Sequence, residues 1–137
     1  MRIFLDTNVI VAAVATRGLC ADVVRDVLAR CQLIVSVALF EEVTTVLTEK
    51  MRVPAAHVFD LTALLREGAV LSNPSSDAEE IPIRDQADKV LISAALAGKA
   101  ELFVTGDVEL LELREIGPMA VVSPRGFWEL VKAVPKS

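Results

Sequence analysis

Four short apolar runs, IFL at 3–5, LIV at 33–35, LFV at 102–104 and MAVV at 119–122, constrain this chain more than anything else in it. None shows the apolar and polar alternation of a half-exposed strand, and stretches of helical periodicity separate them. Strands of this kind are buried on both faces, which requires helices on either side of a mainly parallel sheet. The expected fold is therefore α/β, a three-layer α/β/α sandwich with about five short strands and right-handed crossovers, the fifth strand lying at 69–71. A length of 137 residues suits one domain over 1–137, and neither a linker nor a low-complexity tract interrupts it. With 53% hydrophobic but only 4% aromatic residues, the core must be built from Val, Leu, Ile and Ala.

Helical patterns fill the intervals. Cys20, Val23, Val24, Val27, Leu28 and Cys31 share one face, with Asp22, Arg25, Asp26 and Arg30 on the wet side. Ser36 is placed to cap a helix running to about residue 50, and Pro54 to open a second that ends at Gly68, the two forming a hairpin. Residues 72–82 read as a surface loop. The helix from Asp85 is apolar almost all round over 90–97, which implies burial on more than one side. About two turns of helix through Leu110, Leu111 and Leu113 should follow the 102–104 strand. Ser123 and Pro124 open a last amphipathic helix carrying Phe127, Leu130, Val131 and Val134. Phe127 and Trp128 suit either core packing or base stacking, and their spacing with Leu130 and Val131 favours the core.

Composition removes several functional classes. A formal charge of -5 argues against coating nucleic acid through a broad basic surface, although acids that hold divalent cations would themselves contribute to that charge. Cys20 and Cys31 stand eleven residues apart in one helical pattern, roughly 16 Å, beyond the reach of a disulfide, and are expected as buried core thiols. His57 has no cysteine or histidine nearby in sequence, so zinc is not indicated. No apolar run reaches the ~18 residues of a membrane span, and Asp6 interrupts the one stretch resembling a signal peptide. These features predict a soluble protein of a reducing compartment, hence cytoplasmic.

The acids carry the chemistry. Asp6 and Asp107 each follow a buried strand, at the sheet end where α/β proteins bind ligands, and Asp88 opens the most buried helix. Helix capping accounts for each of these alone. Glu42 has no such explanation, because at about 100° per residue it falls on the edge of the stripe formed by Leu39, Val43 and Val46, whereas Glu41 points away among threonines. If the four converge, like charges about 4 Å apart repel by roughly 4 kcal/mol per pair at an effective dielectric near 20. Such a set must protonate or bind a cation, and oxygen-only ligation selects magnesium or manganese.

The stretches RIFLDTNVI, LFEEVTTVL, RDQADKVLISAALAGKAELFVTGDVELLEL and VVSPRGFWEL resemble the PIN-domain family, in particular the VapC-like toxins of bacterial toxin–antitoxin pairs. The ordered set of D-T-N, a helical Glu, an Asp opening a helix and T-G-D carries the resemblance over nearly the whole chain. It implies a PIN-like sandwich, a Mg2+- or Mn2+-dependent ribonuclease acting on single-stranded RNA, and inhibition by a cognate antitoxin. By position it points to Asp6, Glu42, Asp88 and Asp107 as catalytic metal ligands, with Asn8 and Thr105 orienting them. A homodimer is a further expectation, and the mostly apolar helix pair over 37–65 offers an antitoxin segment a groove.

Other residues have two readings. Asp85 is either a fifth ligand or, preferably, the cap of the helix that contains Asp88. Glu109 stands where relatives often carry a second Asp after T-G-D, and its longer side chain makes it auxiliary. Arg84 and Lys89 either meet RNA phosphates or, preferably, form a solvated face. A phosphatase with D-x-D is excluded by Asn8, which leaves a non-cleaving PIN-like RNA- or protein-binding module as the alternative to a nuclease.

Overall fold

The computed structural model describes residues 1–74 and 81–133. The elements run β1 (Arg2–Leu5), α1 (Thr7–Ala15), α2 (Leu19–Arg30), β2 (Gln32–Val35), α3 (Val37–Thr45, continued by a π-helical turn, Val46–Lys50) and α4 (Ala55–Arg66). There follow β3 (Val70–Leu71), α5 (Gln86–Ala97), β4 (Leu102–Val104), α6 (Val108–Leu111), β5 (Glu115–Ile116), β6 (Met119–Val122) and α7 (Pro124–Ala133). The strands form one sheet in the order β3-β2-β1-β4-β6-β5. Every pairing is parallel except β5 with β6. Right-handed crossovers that leave β1 in opposite directions lay helices on opposite faces, which gives the three-layer sandwich.

The register of β1 against β4 places Phe4 beside Phe103, and their rings stack at 5.4 Å between centroids, 6° from parallel. Ile3, Phe4, Leu5, Ile34, Phe103 and Val104 are all inaccessible, as expected for strands covered on both faces. In α5, five consecutive residues, Leu91 to Ala95, are buried, so the all-round apolar stretch is indeed enclosed on more than one side. Ser36 caps α3 by accepting a hydrogen bond from the Leu39 N–H at 3.1 Å, and Ser123 accepts one from the Gly126 N–H at 2.9 Å.

Three sequence expectations need correction. The helix after β4 is a single turn, not two, because Arg114 takes a left-handed conformation (φ 60°) and turns the chain into β5. The strand β5 itself went unrecognised. It pairs with β6 across Gly117-Pro118, a two-residue loop with a positive-φ glycine at its first position, the φ pattern of a type II′ hairpin turn. Cys20 and Cys31 are half-buried, not core thiols, although burial pushes both thiols up from their ordinary value. Val134 and residues 75–80 of the expected loop lie outside the described residues. Phe127 is fully buried, whereas Trp128 is half-buried with the Lys132 ammonium 5.4 Å from its ring centre. No single described helix is long and apolar enough to cross a membrane.

The carboxyl end of α5 is clamped to the sheet. The Arg2 guanidinium donates twice to the Gly98 carbonyl, at 3.0 and 2.6 Å, and the Ser72 hydroxyl donates to the Ala94 carbonyl at 2.7 Å. Gly98 sits so close that a Cβ would meet Ile34 Cγ2 at 2.5 Å and Ser72 Cβ at 3.1 Å. Since Ile34 is fully buried and cannot swing away, Gly98→Ala should destabilise the protein by about 1–3 kcal/mol, the usual cost of overpacking, as read from denaturant midpoints.

Candidate active site

The sheet order defines where the site can be. From β1 the chain builds outward through β2 to β3, then returns to lay β4 on the other side of β1, so the topological switch point lies between β1 and β4. The crevice at the carboxyl ends of those two strands is the standard ligand position in such sheets. Asp6 and Asp107 stand there.

Asp6 is 3% exposed and held by three donors. Its Oδ1 accepts from the Thr7 N–H at 2.8 Å, while its Oδ2 accepts from the Thr105 hydroxyl at 2.8 Å and the Asn8 amide at 3.1 Å. The Thr105 hydroxyl is itself fully engaged, since it also accepts from the Asp107 N–H at 3.0 Å and from Asn8 Nδ2 at 3.3 Å. Asn8 Oδ1 accepts from the Gly106 N–H at 2.8 Å, which fixes the orientation of its amide. Asp107 Oδ1 in turn accepts from the Glu109 N–H at 2.9 Å and so caps α6. The expected orienting role of Asn8 and Thr105 thus has a geometric counterpart: together they tie the end of β1 to the end of β4.

Burial is the main cause that raises the Asp6 carboxyl above its ordinary value; its hydrogen bonds to Thr105 and Thr7 oppose the rise, and the fields of Glu42 and Asp107 add to it. Asp88 is pushed up to about 6, again mainly by burial, then by the charges of Asp85, Asp6, Asp107 and Glu42. Among the described residues, the charges that shift these two acids are all negative. The four expected acids therefore share one electrostatic neighbourhood, and among the described residues none of them is ion-paired. They are not drawn tight: no three His, Cys, Asp or Glu side chains among the described residues are set to close on a single ion. Like charges without a counter-charge repel such closure. An all-oxygen donor set around a buried carboxylate suits a hard divalent cation such as Mg2+ or Mn2+.

Glu42 is half-buried and Glu41 exposed, as the helical phase requires. Asp85 caps α5, its Oδ1 accepting from the Asp88 N–H at 3.0 Å. Glu109 is exposed, and the hydrogen bond that ties it to the site comes from its main chain. Arg84 is exposed and Lys89 half-buried, and neither forms an ion pair among the described residues. Thr7 and Gly106 contribute through main-chain N–H groups, a role that residue type does not signal. The Thr7 hydroxyl is buried without a hydrogen-bond partner among the described residues. Between α3 and α4 two adjoining hollows open, one of mixed character lined by Val37, Phe40, Glu41, Thr44, Thr45, Thr62 and Arg66, the other mostly apolar and lined by Thr44, Thr48, Ala55, Val58, Phe59 and Thr62.

A doubly wound sandwich with acids gathered at the switch point defines the class of protein. A family model described as PIN domain matches residues 2–109, and the chain belongs to that family. VapBC2 from Rickettsia felis, in a crystal structure bound to a DNA fragment from its promoter, is similar in fold at a TM-score of 0.65 and 14% identity, covering 90% of this chain and 98% of that one. VapBC-1 from nontypeable Haemophilus influenzae is similar at a TM-score of 0.61 and 19% identity, covering 91% and 99%. No curated protein sequence matches the chain.

Two measurements probe the site without substrate. Thr105→Val removes a donor from Asp6 and an acceptor from Asp107 N–H, which should cost about 1–3 kcal/mol of unfolding free energy. The second is pH dependence. A carboxyl raised in the folded state binds protons more readily there than in the unfolded chain, so its contribution to stability falls as pH rises. For Asp88 the window lies between the ordinary value of 3.8 and about 6, and Asp6 acts in the same direction. The melting temperature of metal-free protein should therefore gain from these two groups as pH is lowered from about 7 to about 5. Added Mn2+ should raise the melting temperature most at the upper end of that range.

Proposed function

We propose that this chain is a divalent-metal-dependent endoribonuclease that cleaves single-stranded RNA, and that it is the toxin of a type II toxin–antitoxin pair. The observation that carries the reading is a buried Asp6, fixed by three donors, in the field of Glu42 and Asp107, with Asp88 in the field of all three and none of the four ion-paired among the described residues. Asp6, Glu42, Asp88 and Asp107 would hold Mg2+ or Mn2+. When bound, the cation lowers the pKa of a coordinated water and offsets charge on the phosphodiester. Asn8 and Thr105 fix the Asp6 carboxylate and the start of the Asp107 turn, so two of the ligands are set before substrate arrives. Asp85 sets the first turn of α5 and with it Asp88, while Glu109 stays peripheral. Arg84 and Lys89, flanking Asp88 in sequence, are the cations we assign to RNA phosphates.

The partner assignment rests on the fold neighbours, VapBC2 and VapBC-1. By that likeness we assign this chain a cognate antitoxin, and we further propose a homodimer and a cytoplasmic setting. A non-cleaving PIN-like module is the second reading, and the presence of all four acids speaks against it.

Purified protein should degrade single-stranded RNA only when Mg2+ or Mn2+ is added, and Asp6→Asn should remove that activity while circular dichroism reports a native fold. Cleavage without metal, or by the folded Asp6→Asn protein, overturns the reading. The register of α3 provides a sharper comparison. Glu42→Gln keeps size but removes an anionic ligand, so the Mn2+ needed for half-maximal cleavage should rise by about tenfold or more. Glu41→Gln should leave that Mn2+ requirement unchanged. For the toxin assignment, co-expression with an adjacent small antitoxin gene should give a stable complex with suppressed cleavage.

A further inference from the structure

The strand β3 lies outermost in the sheet and, among the described residues, pairs only with β2. The Ser72 N–H donates to the Val35 carbonyl at 2.8 Å, so the main-chain groups of Ser72 point inward along the ladder. Those of Leu71, one residue earlier, therefore point to the open side, where they present a donor and an acceptor. The Leu71 side chain is 55% exposed.

Beside this edge a cavity of about 630 Å³ opens, walled by Arg2, Val70, Leu71, Asn73, Ala97 and Lys99. The chain carries a formal charge of -5, yet the charged residues of this wall, among those described, are both cations. The Arg2 guanidinium donates to the Gly98 carbonyl through Nε and Nη2, which fixes its plane and leaves the fork formed by its two terminal nitrogens open. Lys99 stands just past the end of α5, exposed, and forms no ion pair among the described residues.

These features select among occupants. No aromatic ring lines the cavity among the described residues, so a nucleobase has nothing there to stack on. A second copy of β3 laid on this edge brings the Arg2 and Lys99 of both chains together, and like charges oppose that pairing. An extended peptide with acidic side chains satisfies every group: its main chain meets that of Leu71, an apolar side chain covers Leu71, and a carboxylate takes the Arg2 fork with Lys99 beside it. The place is apart from the acids. Along α5, Gly98 lies about 15 Å from Asp88 at 1.5 Å per residue.

We infer that the open edge of β3 and this cavity bind an acidic, extended segment of a partner protein as an added strand. The inference stands apart from the ribonuclease reading, and its test needs no catalysis. A fluorescein-labelled peptide of alternating Glu and Val, about eight residues long, is titrated with the full chain by fluorescence anisotropy, beside the same peptide with Lys in place of Glu. The Glu peptide should bind, and the Lys peptide about tenfold or more weakly. Lys99→Glu, at an exposed position and with its native fold checked by circular dichroism, should weaken the Glu peptide roughly tenfold. In the parent, exchange of the Leu71 N–H with solvent, followed by NMR, should slow about tenfold or more when the Glu peptide saturates the protein. Failure of the parent to bind, equal binding of the two peptides, or an unchanged Kd in Lys99→Glu overturns the inference. Binding that leaves the Leu71 exchange rate unaltered shows attraction by charge alone and overturns the added strand. If single-stranded oligouridine displaces the Glu peptide, the cavity belongs to nucleic acid and the inference fails.

Discussion

The hydrogen bond from the Thr105 hydroxyl to the Asp6 carboxylate, 2.8 Å across the ends of β1 and β4, is where the fold hands over to the site. The Asp6 N–H still donates to the Val104 carbonyl and the Thr105 N–H to the Val122 carbonyl, so both residues belong to the last rung of the sheet. One step beyond, side chains take over from the ladder. Asn8 spans the two loops, and the Asp107 N–H is drawn in by the same hydroxyl. Positioning of two acids thus depends on rigid, two-face-buried strands and not on loop packing, which is how a site is held to close tolerance.

That rigidity has an electrostatic cost. Asp6 and Asp88 are partly or wholly removed from water and feel only negative neighbours, so the ionised site weakens the fold that displays it. Strained or poorly compensated groups are commonly concentrated where function requires them, and the surrounding core must over-determine their placement. Here the stacked Phe4 and Phe103, the inaccessible strand residues and the clamp of Arg2 and Ser72 on α5 supply that surplus. A divalent cation would reverse the local balance, and affinity for it is then coupled to stability.

Much of this architecture was legible in the chain, for identifiable reasons. Unbroken apolar triplets such as LFV at 102–104 have one stable environment, and the Ser36 and Ser123 caps are read from residue type alone. The distinction between Glu41 and Glu42 followed from helical phase, since Leu39 and Val43 leave Glu42 only the rim of the buried stripe. What escaped notice depends on backbone geometry or on distant neighbours. Glu115 and Ile116 are too few to form a pattern, and only the Gly117-Pro118 turn betrays their hairpin. Thr7 and Gly106 act through N–H groups that every residue except proline possesses. The threonines between α3 and α4 looked like a helix surface because the sequence does not show which face a second helix will wall in.

The phase of α3 is what gives one short helix two different flanks. Residues two positions apart differ by about 200°, so Glu42 turns toward the acids while Phe40 and Thr44 face α4 on the far side. The buried stripe of Leu39, Val43 and Leu47 lies between the two polar flanks and fixes both, because neither can rotate without exposing it. The π-helical turn at Val46–Lys50 then lets the chain leave α3 with Leu47 still fully buried, and the left-handed Arg52 (φ 55°) redirects it into α4. It is α4 that carries Arg66 back to the first turn of α3 and seats it on Phe40.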